Sequence, residues 1–208
     1  MKATKNLIRR VKIIGRKLRS FYYFWIWYNG FMGFFRKKRF ENICLENLRF
    51  VSAILNENNV KHWITDGTLL GFYREGGLIK GDTDIDLGMM IEDLPHNIHH
   101  LFKGQGFYLL RENGSTNNGL EYTYTRKGAN LDIFFFYTEK NYVWHANWLG
   151  AERIRFKYPF FEVRKWQFKP GNFWAPENIE HYLELKYGKN WRVPIGKWDW
   201  AKDPENIF

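Results

Sequence analysis

The chain has 208 residues, of which 45% are hydrophobic and 20% aromatic, and this composition excludes an intrinsically disordered protein. The net charge of +10 is concentrated at one end: residues 1–40 hold twelve of the 32 Lys and Arg residues and no acid, whereas the other 168 residues hold 20 basic and 22 acidic side chains. The rest of the chain is nearly neutral, which argues against a nucleic-acid partner. Enzymes that act on nucleic acids usually carry positive charge around the active site. The one cysteine, Cys44, excludes a disulfide framework and a cysteine zinc site.

The first 40 residues form a basic and aromatic arm. Its apolar part, "FYYFWIWYNGFMGFF" at residues 21–35, is shorter than the roughly 20 residues that span a bilayer. Trp and Tyr flanked by Lys and Arg are typical of the membrane interface. We therefore predict a helical arm over residues 1–40 that lies on an anionic membrane, and a catalytic domain over residues 41–208. The alternatives are an amphipathic helix packed on the body or on a second subunit, and an RNA-binding tail. The expected location is cytoplasmic, peripheral on the inner face of the membrane.

The first half of the body predicts two helices and two strands. "FENICLENLRFVSAILNENN" has apolar residues at helical spacing, and "KHWIT" indicates a short strand. Gly67-Thr68 predicts a turn, with a helix that begins in "TLLGFYRE" and ends at Gly76-Gly77. "DIDLGMM" indicates a strand, which places Asp84 and Asp86 on one face because strand side chains alternate.

The second half predicts further strands and two helices. "PHNIHHLFKGQG" indicates a helix, and "FYLLRE" and "EYTYTR" indicate an antiparallel hairpin. "LDIFFFY", "NYVWHANW" and "RIRFKYPFFEV" are typical of strands. "APENIEHYLELKYG" predicts the last helix, with Pro176 near its start and Gly188 at its end. The predicted fold class is α+β, a small mixed sheet with helices.

Four aspartates carry the chemical signal. Asp82, Asp84 and Asp86 occupy every second position before an apolar strand, and Asp132 stands alone in a later apolar run. Clustered or buried carboxylates need a cation, and oxygen ligands without His or Cys favour Mg²⁺ or Mn²⁺ over zinc. The backbone N–H groups of the Gly67-Thr68 turn, at a helix start, suit a phosphate.

These parts together are typical of phosphoryl transfer. Arg74, one to two turns into the predicted helix, can clamp a phosphate oxygen. The ordered set of strand, Gly-Thr turn, helix, Asp-x-Asp strand and a later acid resembles the nucleotidyltransferase superfamily. The alternative is a solvated acidic turn plus a surface Asp, but "IDLGMMI" and "LDIFFFY" are too apolar for surface loops.

Five other residues were weighed as site candidates. His96 and His100 have the spacing of a metal pair but lack a third ligand, which favours a solvated helix face. His145, near two tryptophans, belongs either to an aromatic sugar or choline site or, as we favour, to the core. Arg153 and Arg155 alternate on a predicted strand, and the sequence does not decide whether they face the site or water.

Three blocks of the body resemble one known family. "DGTLLGFYREGGLIKGDTDIDLGM" at 66–89 resembles the signature of the LicD/fukutin family, and "LDIF" at 131–134 resembles its second acidic strand. "FWAPENIEHYLELKYGKNW" at 173–191 resembles its C-terminal element. The resemblance covers roughly residues 60–192 and leaves out the arm.

The resemblance implies a nucleotidyltransferase-like mixed β-sheet flanked by helices and a phosphotransferase that uses a CDP-activated donor. It implies that Asp84 and Asp86 bind magnesium and that Asp132 completes the metal site or acts as base. It also implies that the donor's diphosphate is held by Gly67, Thr68 and Arg74.

One departure affects the donor site. Where many members have Pro and an aromatic residue before the acids, this chain has Ile79-Lys80-Gly81-Asp82. We expect Lys80 to contact phosphate in their place, unless the donor differs. Asp82 is expected to lie outside the direct ligands.

The function predicted from the resemblance is transfer of phosphocholine or an alditol phosphate to a sugar hydroxyl of a cell-surface or secretory glycan, such as lipopolysaccharide or capsule. The alternative is a nucleotidyltransferase that acts on a small molecule and releases pyrophosphate. A third hypothesis, a non-catalytic scaffold, predicts that the acids do not matter.

Overall fold

The computed structural model describes residues 38–208, and residues Ile43–Phe208 form one compact unit. The arm predicted for residues 1–40 lies outside the described residues except for its last three. Among the described residues, none of the helices combines the length and the apolar composition needed to cross a bilayer.

Four α-helices and nine strands make up the described part of the chain. The first helix, α1, covers residues 38–57, as its apolar spacing predicts. The other helices are α2 (Asp66–Arg74), α3 (Ile98–Lys103) and α4 (Ile179–Tyr187). The strands are β1 (Trp63–Ile64), β2 (Asp86–Met90), β3 (Tyr108–Asn113), β4 (Glu121–Arg126), β5 (Ala129–Thr138), β6 (Val143–Leu149), β7 (Glu152–Tyr158), β8 (Val163–Phe168) and β9 (Gly171–Pro176).

Seven strands form one mixed sheet, which confirms the predicted fold class. Its main order is β1-β2-β5-β4-β3, and β6 joins β5 to β7. Strands β2 and β5 run parallel, while the other pairs are antiparallel. The long central strand β5 is rich in aromatic and β-branched residues, which favour a pleated, buried surface.

A close packing contact fixes the edge of this sheet. Gly88 of β2 lies opposite Trp63 of β1, and a Cβ at Gly88 would lie 2.4 Å from the indole ring. Only glycine leaves room for this ring, which packs edge-on against Phe136 with ring centroids 4.9 Å apart.

The structure corrects the sequence prediction at four places. Gly67 and Thr68 lie in the first turn of α2 rather than in a turn before the helix. Asp84 lies before β2 rather than in it. Pro176, predicted near the start of the last helix, instead ends strand β9, and α4 begins at Ile179. Asn178 caps this helix by accepting a hydrogen bond from the His181 N–H at 3.1 Å. The β8–β9 hairpin, whose turn contains Pro170-Gly171, was not predicted from the aromatic run that its strands continue.

Candidate active site

Two aspartates and one threonine form a row across three neighbouring strands. Asp86 of β2 pairs with Asp132 of β5, and Asp132 pairs with Thr123 of β4. The Thr123 hydroxyl donates a hydrogen bond to Asp132 Oδ1 at 2.5 Å. Because paired residues point to the same face of a sheet, the fold brings together two carboxylates that are 46 positions apart in the chain.

Asp84 completes a group of three carboxylates. One oxygen from each of Asp84, Asp86 and Asp132 lies within 4.8 Å of the other two. Asp82 lies beside them and shares a hydrogen bond with Asp84. The three residues predicted to form the metal site therefore meet in space, although only two of them belong to strands.

The N-terminus of α2 is joined to this group through Asp86. The Thr68 backbone N–H donates to Asp86 Oδ2 at 3.0 Å, and the Thr68 hydroxyl accepts from the Asp86 N–H at 2.8 Å. A Cβ on Gly67 would lie 3.0 Å from Asp82 Oδ2 and 3.2 Å from Asp86 Oδ2. The Gly-Thr pair thus holds the helix end against the carboxylates, and the glycine leaves the approach open.

In the absence of a cation, the pKa values of Asp82, Asp86 and Asp132 are raised. Burial, with the charge of Asp84 and others, raises the pKa of Asp86 well above its ordinary value. Burial and the charge of Asp84 raise the pKa of Asp132 to about 7, against the hydrogen bond from Thr123. Burial and the hydrogen bond with Asp84 likewise raise the pKa of Asp82 to about 7. A nearby positive charge would reverse each of these effects.

The donor set fits a hard divalent cation. It contains carboxylate oxygens only, as magnesium or manganese prefers. Mg²⁺ binds oxygen at about 2.0–2.1 Å, so two ligands on opposite sides lie about 4.2 Å apart. The oxygens of the three carboxylates, within 4.8 Å of one another, come close to that span.

The three carboxylates and Asp82 line one cavity of about 610 Å³. The predicted donor-binding residues Gly67, Arg74 and Lys80 line it too, whereas Thr68 is buried beneath its wall. Lys80 is exposed at the surface of the cavity. Arg74 is already engaged: its Nη1 donates to the Trp191 carbonyl at 3.1 Å and its Nη2 to Glu75 at 2.7 Å.

Two further charged groups in the cavity were not predicted. On β3 and β4, the Arg111 guanidinium donates from Nη2 to Glu121 at 3.2 Å and to Thr123 at 3.0 Å. The second is a buried ion pair between Asp66 and Lys186, whose atoms Oδ2 and Nζ lie 2.6 Å apart. Both pairs join residues from different elements, so neither leaves a short motif in the sequence.

The other weighed residues lie outside the cavity. His145 is fully buried and stacks on Phe156 with ring centroids 5.1 Å apart, which confirms the core position that we favoured. Burial lowers its pKa to about 3. Arg153 bonds to Asn118, and Arg155 lies over the Phe208 ring at 4.3 Å. His96 and His100 are both exposed, as predicted, but only His100 lies on α3, since His96 belongs to the turn before it.

The family model for the LicD/FKTN/FKRP nucleotidyltransferase domain matches residues 59–178. This range contains the three clustered carboxylates and the start of α2, and it ends just before α4.

Curated relatives cover most of this chain. Ribitol-5-phosphate transferase FKTN of Macaca fascicularis is 33% identical over 171 residues, and the protein of the same name from Homo sapiens is 32% identical over 171 residues. Each alignment covers 81% of this chain and 37% of the relative, so the chain spans little more than a third of the length of these relatives. Among solved structures, the lincosamide antibiotic adenylyltransferase LnuA with bound lincomycin matches with a TM-score of 0.45 and 12% identity, over 64% of this chain and 80% of that one.

Proposed function

Because the chain belongs to the LicD/FKTN/FKRP nucleotidyltransferase-domain family, we propose that it transfers a phospho-alcohol from a CDP-activated donor to a sugar hydroxyl of a cell-surface or secretory glycan. The transferred group is phosphocholine or an alditol phosphate, and the reaction requires Mg²⁺ or Mn²⁺. The observation that carries the proposal is the meeting of Asp84, Asp86 and Asp132 in one cavity, opposite the N-terminus of α2. The relatives named ribitol-5-phosphate transferase support the alditol phosphate.

The carboxylates and the helix end have separate roles in this proposal. Asp84, Asp86 and Asp132 hold the metal, which when bound supplies the positive charge that neutralises the donor's phosphates. Gly67 and Thr68 lie in the first turn of α2, where the positive end of the helix dipole favours the donor's phosphates. Lys80, exposed on the cavity wall, is free to swing toward them.

The transfer itself is a displacement at phosphorus. The acceptor hydroxyl oxygen forms a bond to the phosphorus that carries the alcohol, and the bond from that phosphorus to the bridging oxygen of the diphosphate breaks. CMP leaves with the electron pair, and the hydroxyl proton passes to Asp132 or to water. Asp132 is the proton acceptor only in the alternative arrangement in which Asp84 and Asp86 alone hold the metal, and there the Thr123 hydroxyl orients its carboxylate.

The second candidate is nucleotidyl transfer to a small molecule, favoured by the domain type of the matching family model. The two reactions use the same metal site but leave different products. Phosphotransfer from a CDP-alcohol releases CMP, whereas nucleotidyl transfer from CTP or ATP releases pyrophosphate.

The products therefore decide between the two. The protein is incubated with Mg²⁺ and either CDP-ribitol, CDP-choline or CDP-glycerol, or with CTP or ATP, and nucleotide and pyrophosphate are quantified. Slow hydrolysis of one CDP-alcohol to CMP, absent in Asp84→Asn, supports phosphotransfer even without the acceptor. Pyrophosphate release from a triphosphate, with no CMP from any CDP-alcohol, contradicts it.

We also propose that residues 1–40 hold the enzyme on the inner face of an anionic membrane, where lipid-linked acceptors lie. Support comes from the sequence: twelve basic side chains flank an aromatic segment that is too short to span. Deleting residues 1–37 should release the protein from anionic liposomes in a sedimentation assay, while neutral liposomes bind neither form. Sedimentation of the truncated protein with anionic liposomes would place the membrane contact in the body instead.

A further inference from the structure

Helix α4 carries a lysine at a position where its pattern calls for an apolar residue. The buried side of the helix is formed by Ile179, Tyr182, Leu183 and Lys186, which have the spacing of one helical face. The Lys186 side chain is only 4% exposed. A lysine is almost never this buried unless it is paired, so its presence on this face needs a reason.

The partner of Lys186 stands beside the carboxylate group. Lys186 Nζ lies 2.6 Å from Oδ2 of Asp66, the first residue of α2 and the neighbour of Gly67. Burial has the largest single effect on the Asp66 pKa and opposes ionisation, but the charge of Lys186, together with smaller contributions that include hydrogen bonds from Lys186 and Thr65, outweighs burial and lowers the pKa. Both residues line the same cavity as the three clustered aspartates.

The ammonium of Lys186 has hydrogen-bond capacity left over. It carries three N–H donors, and the Asp66 carboxylate accepts from it through Oδ2. Its Nζ also lies 4.6 Å from the centre of the Phe156 ring, which favours the cation but provides no strong acceptor. Because Lys186 lines the cavity, the N–H donors that Asp66 does not take remain for a ligand there.

The remaining cations of the cavity are committed or exposed. Both Nη atoms of Arg74 are taken, by the Trp191 carbonyl and by Glu75, and only its buried Nε is unpaired, while Arg111 bonds Glu121 and Thr123. Lys80 is exposed. Among the described residues that line the cavity, Lys186 is the buried cation that stands at the start of α2, where a phosphate is favoured.

We propose that Lys186 binds a phosphate oxygen of the nucleoside diphosphate donor, and that Asp66 is a positioning residue that holds the ammonium at the start of α2. This inference rests on the proposed function. It gives α4, which lies outside residues 59–178 matched by the family model, a direct part in the donor site.

The competing interpretation is that the ion pair only joins α2 to α4. The two helices are already joined by three other contacts. The Thr65 hydroxyl and the Tyr182 hydroxyl lie 2.8 Å apart, the Tyr73 hydroxyl donates to Glu180 at 3.1 Å, and Arg74 reaches the Trp191 carbonyl just beyond the helix. An ion pair used only for joining would be replaceable by two neutral residues without loss of donor binding.

A double variant separates the two interpretations. Lys186→Met alone leaves a buried, unpaired Asp66 and should destabilise the fold, whereas Asp66→Asn with Lys186→Met removes both charges. Asparagine suits position 66, whose φ is +44°, a conformation that asparagine tolerates better than most residues. Lys189→Met, at an exposed lysine just after α4, is the matched control.

The measurement is calorimetric binding of CDP in the presence of Mg²⁺, with cytidine as the phosphate-free comparison and urea unfolding of each variant in parallel. We expect the double variant to regain most of the stability lost in Lys186→Met yet to bind CDP at least tenfold more weakly than the wild type, with Lys189→Met unchanged. CDP affinity of the double variant within twofold of the wild type would overturn the inference alone. Failure of the wild-type protein to bind CDP with Mg²⁺ would overturn both the inference and the proposed function.

Discussion

Replacing Asp132 by asparagine is expected to stabilise the metal-free protein at pH 8 and to remove its response to Mg²⁺. Asp132 is 8% exposed, and burial together with the charge of Asp84 raises its pKa from 3.8 to about 7. At pH 8 the native state therefore holds a carboxylate in an environment that disfavours its charge, and the substitution removes that charge.

The size of the gain follows from the pKa. An increase from 3.8 to about 7 corresponds to about 4 kcal/mol of unfavourable interaction with the ionised form. Asparagine keeps an oxygen that accepts the hydrogen bond from Thr123, but it buries an amide NH₂ group, which costs about 1–3 kcal/mol when unpaired. The expected net gain in the free energy of unfolding is about 1–3 kcal/mol.

The assay is urea unfolding at pH 8, carried out in EDTA and in Mg²⁺. The wild type is compared with Asp132→Asn and with the control Glu57→Gln, which replaces an exposed acid at the end of α1. In EDTA the Asp132 variant should be the most stable of the three, and in Mg²⁺ it should be the only one without a further gain. An Asp132→Asn protein that is less stable than the wild type in EDTA would show that the carboxylates do not repel one another as inferred.

Three further predictions test the same site. Because the folded-state pKa of Asp132 lies above its unfolded value, the folded protein gains stability as the pH falls through about 7. Acidifying the metal-free protein from pH 8 to 6 should therefore raise its free energy of unfolding by about 1 kcal/mol. Saturating Mg²⁺ should reverse this trend. Gly67→Ala should weaken Mg²⁺ binding about tenfold in a melting-temperature titration, because its Cβ would lie 3.0 Å from Asp82 Oδ2 and 3.2 Å from Asp86 Oδ2. The control is Gly196→Ala, whose Cβ meets no described atom within 4 Å. Equal Mg²⁺ affinity in the two variants would contradict the prediction. Thr68→Val should lower the free energy of unfolding by about 1–3 kcal/mol, because it leaves the buried Asp86 N–H unpaired. Thr68→Ser keeps the hydroxyl and should lower the free energy of unfolding much less. Equal losses in the two variants would show that packing of the side chain, not its hydrogen bond, stabilises the protein there.

The sequence predicted the parts of the site that a short segment carries. Alternation in a strand and an isolated acid in an apolar run pointed to Asp86 and Asp132, and the fold pairs them directly. The helix that starts near Gly67-Thr68 was also recognisable, although the structure places this pair in the first turn of α2 rather than in a turn before it. Asp84 was assigned to the wrong element, but its place two residues before Asp86 kept it near the site.

The residues that the sequence did not reveal depend on contacts between distant elements. Asp66 and Lys186 are 120 positions apart, and only the packing of α4 against α2 makes them a pair. The sequence nevertheless held a signal. Lys186 has the spacing of the apolar face of α4, so the helical pattern alone places this lysine on the buried side. The β8–β9 hairpin also had a signal, the Pro170-Gly171 pair at its turn, which divides the aromatic run into two strands.

The most direct test of the metal-dependent donor site is calorimetric binding of CDP-ribitol to the wild-type protein and to Asp86→Asn, each in Mg²⁺ and in EDTA. The site predicts binding by the wild type in Mg²⁺, little or none in EDTA, and none by the variant, whose folding is checked by its melting temperature. Binding that is the same in EDTA, or that survives in Asp86→Asn, would contradict a metal site built from Asp84, Asp86 and Asp132.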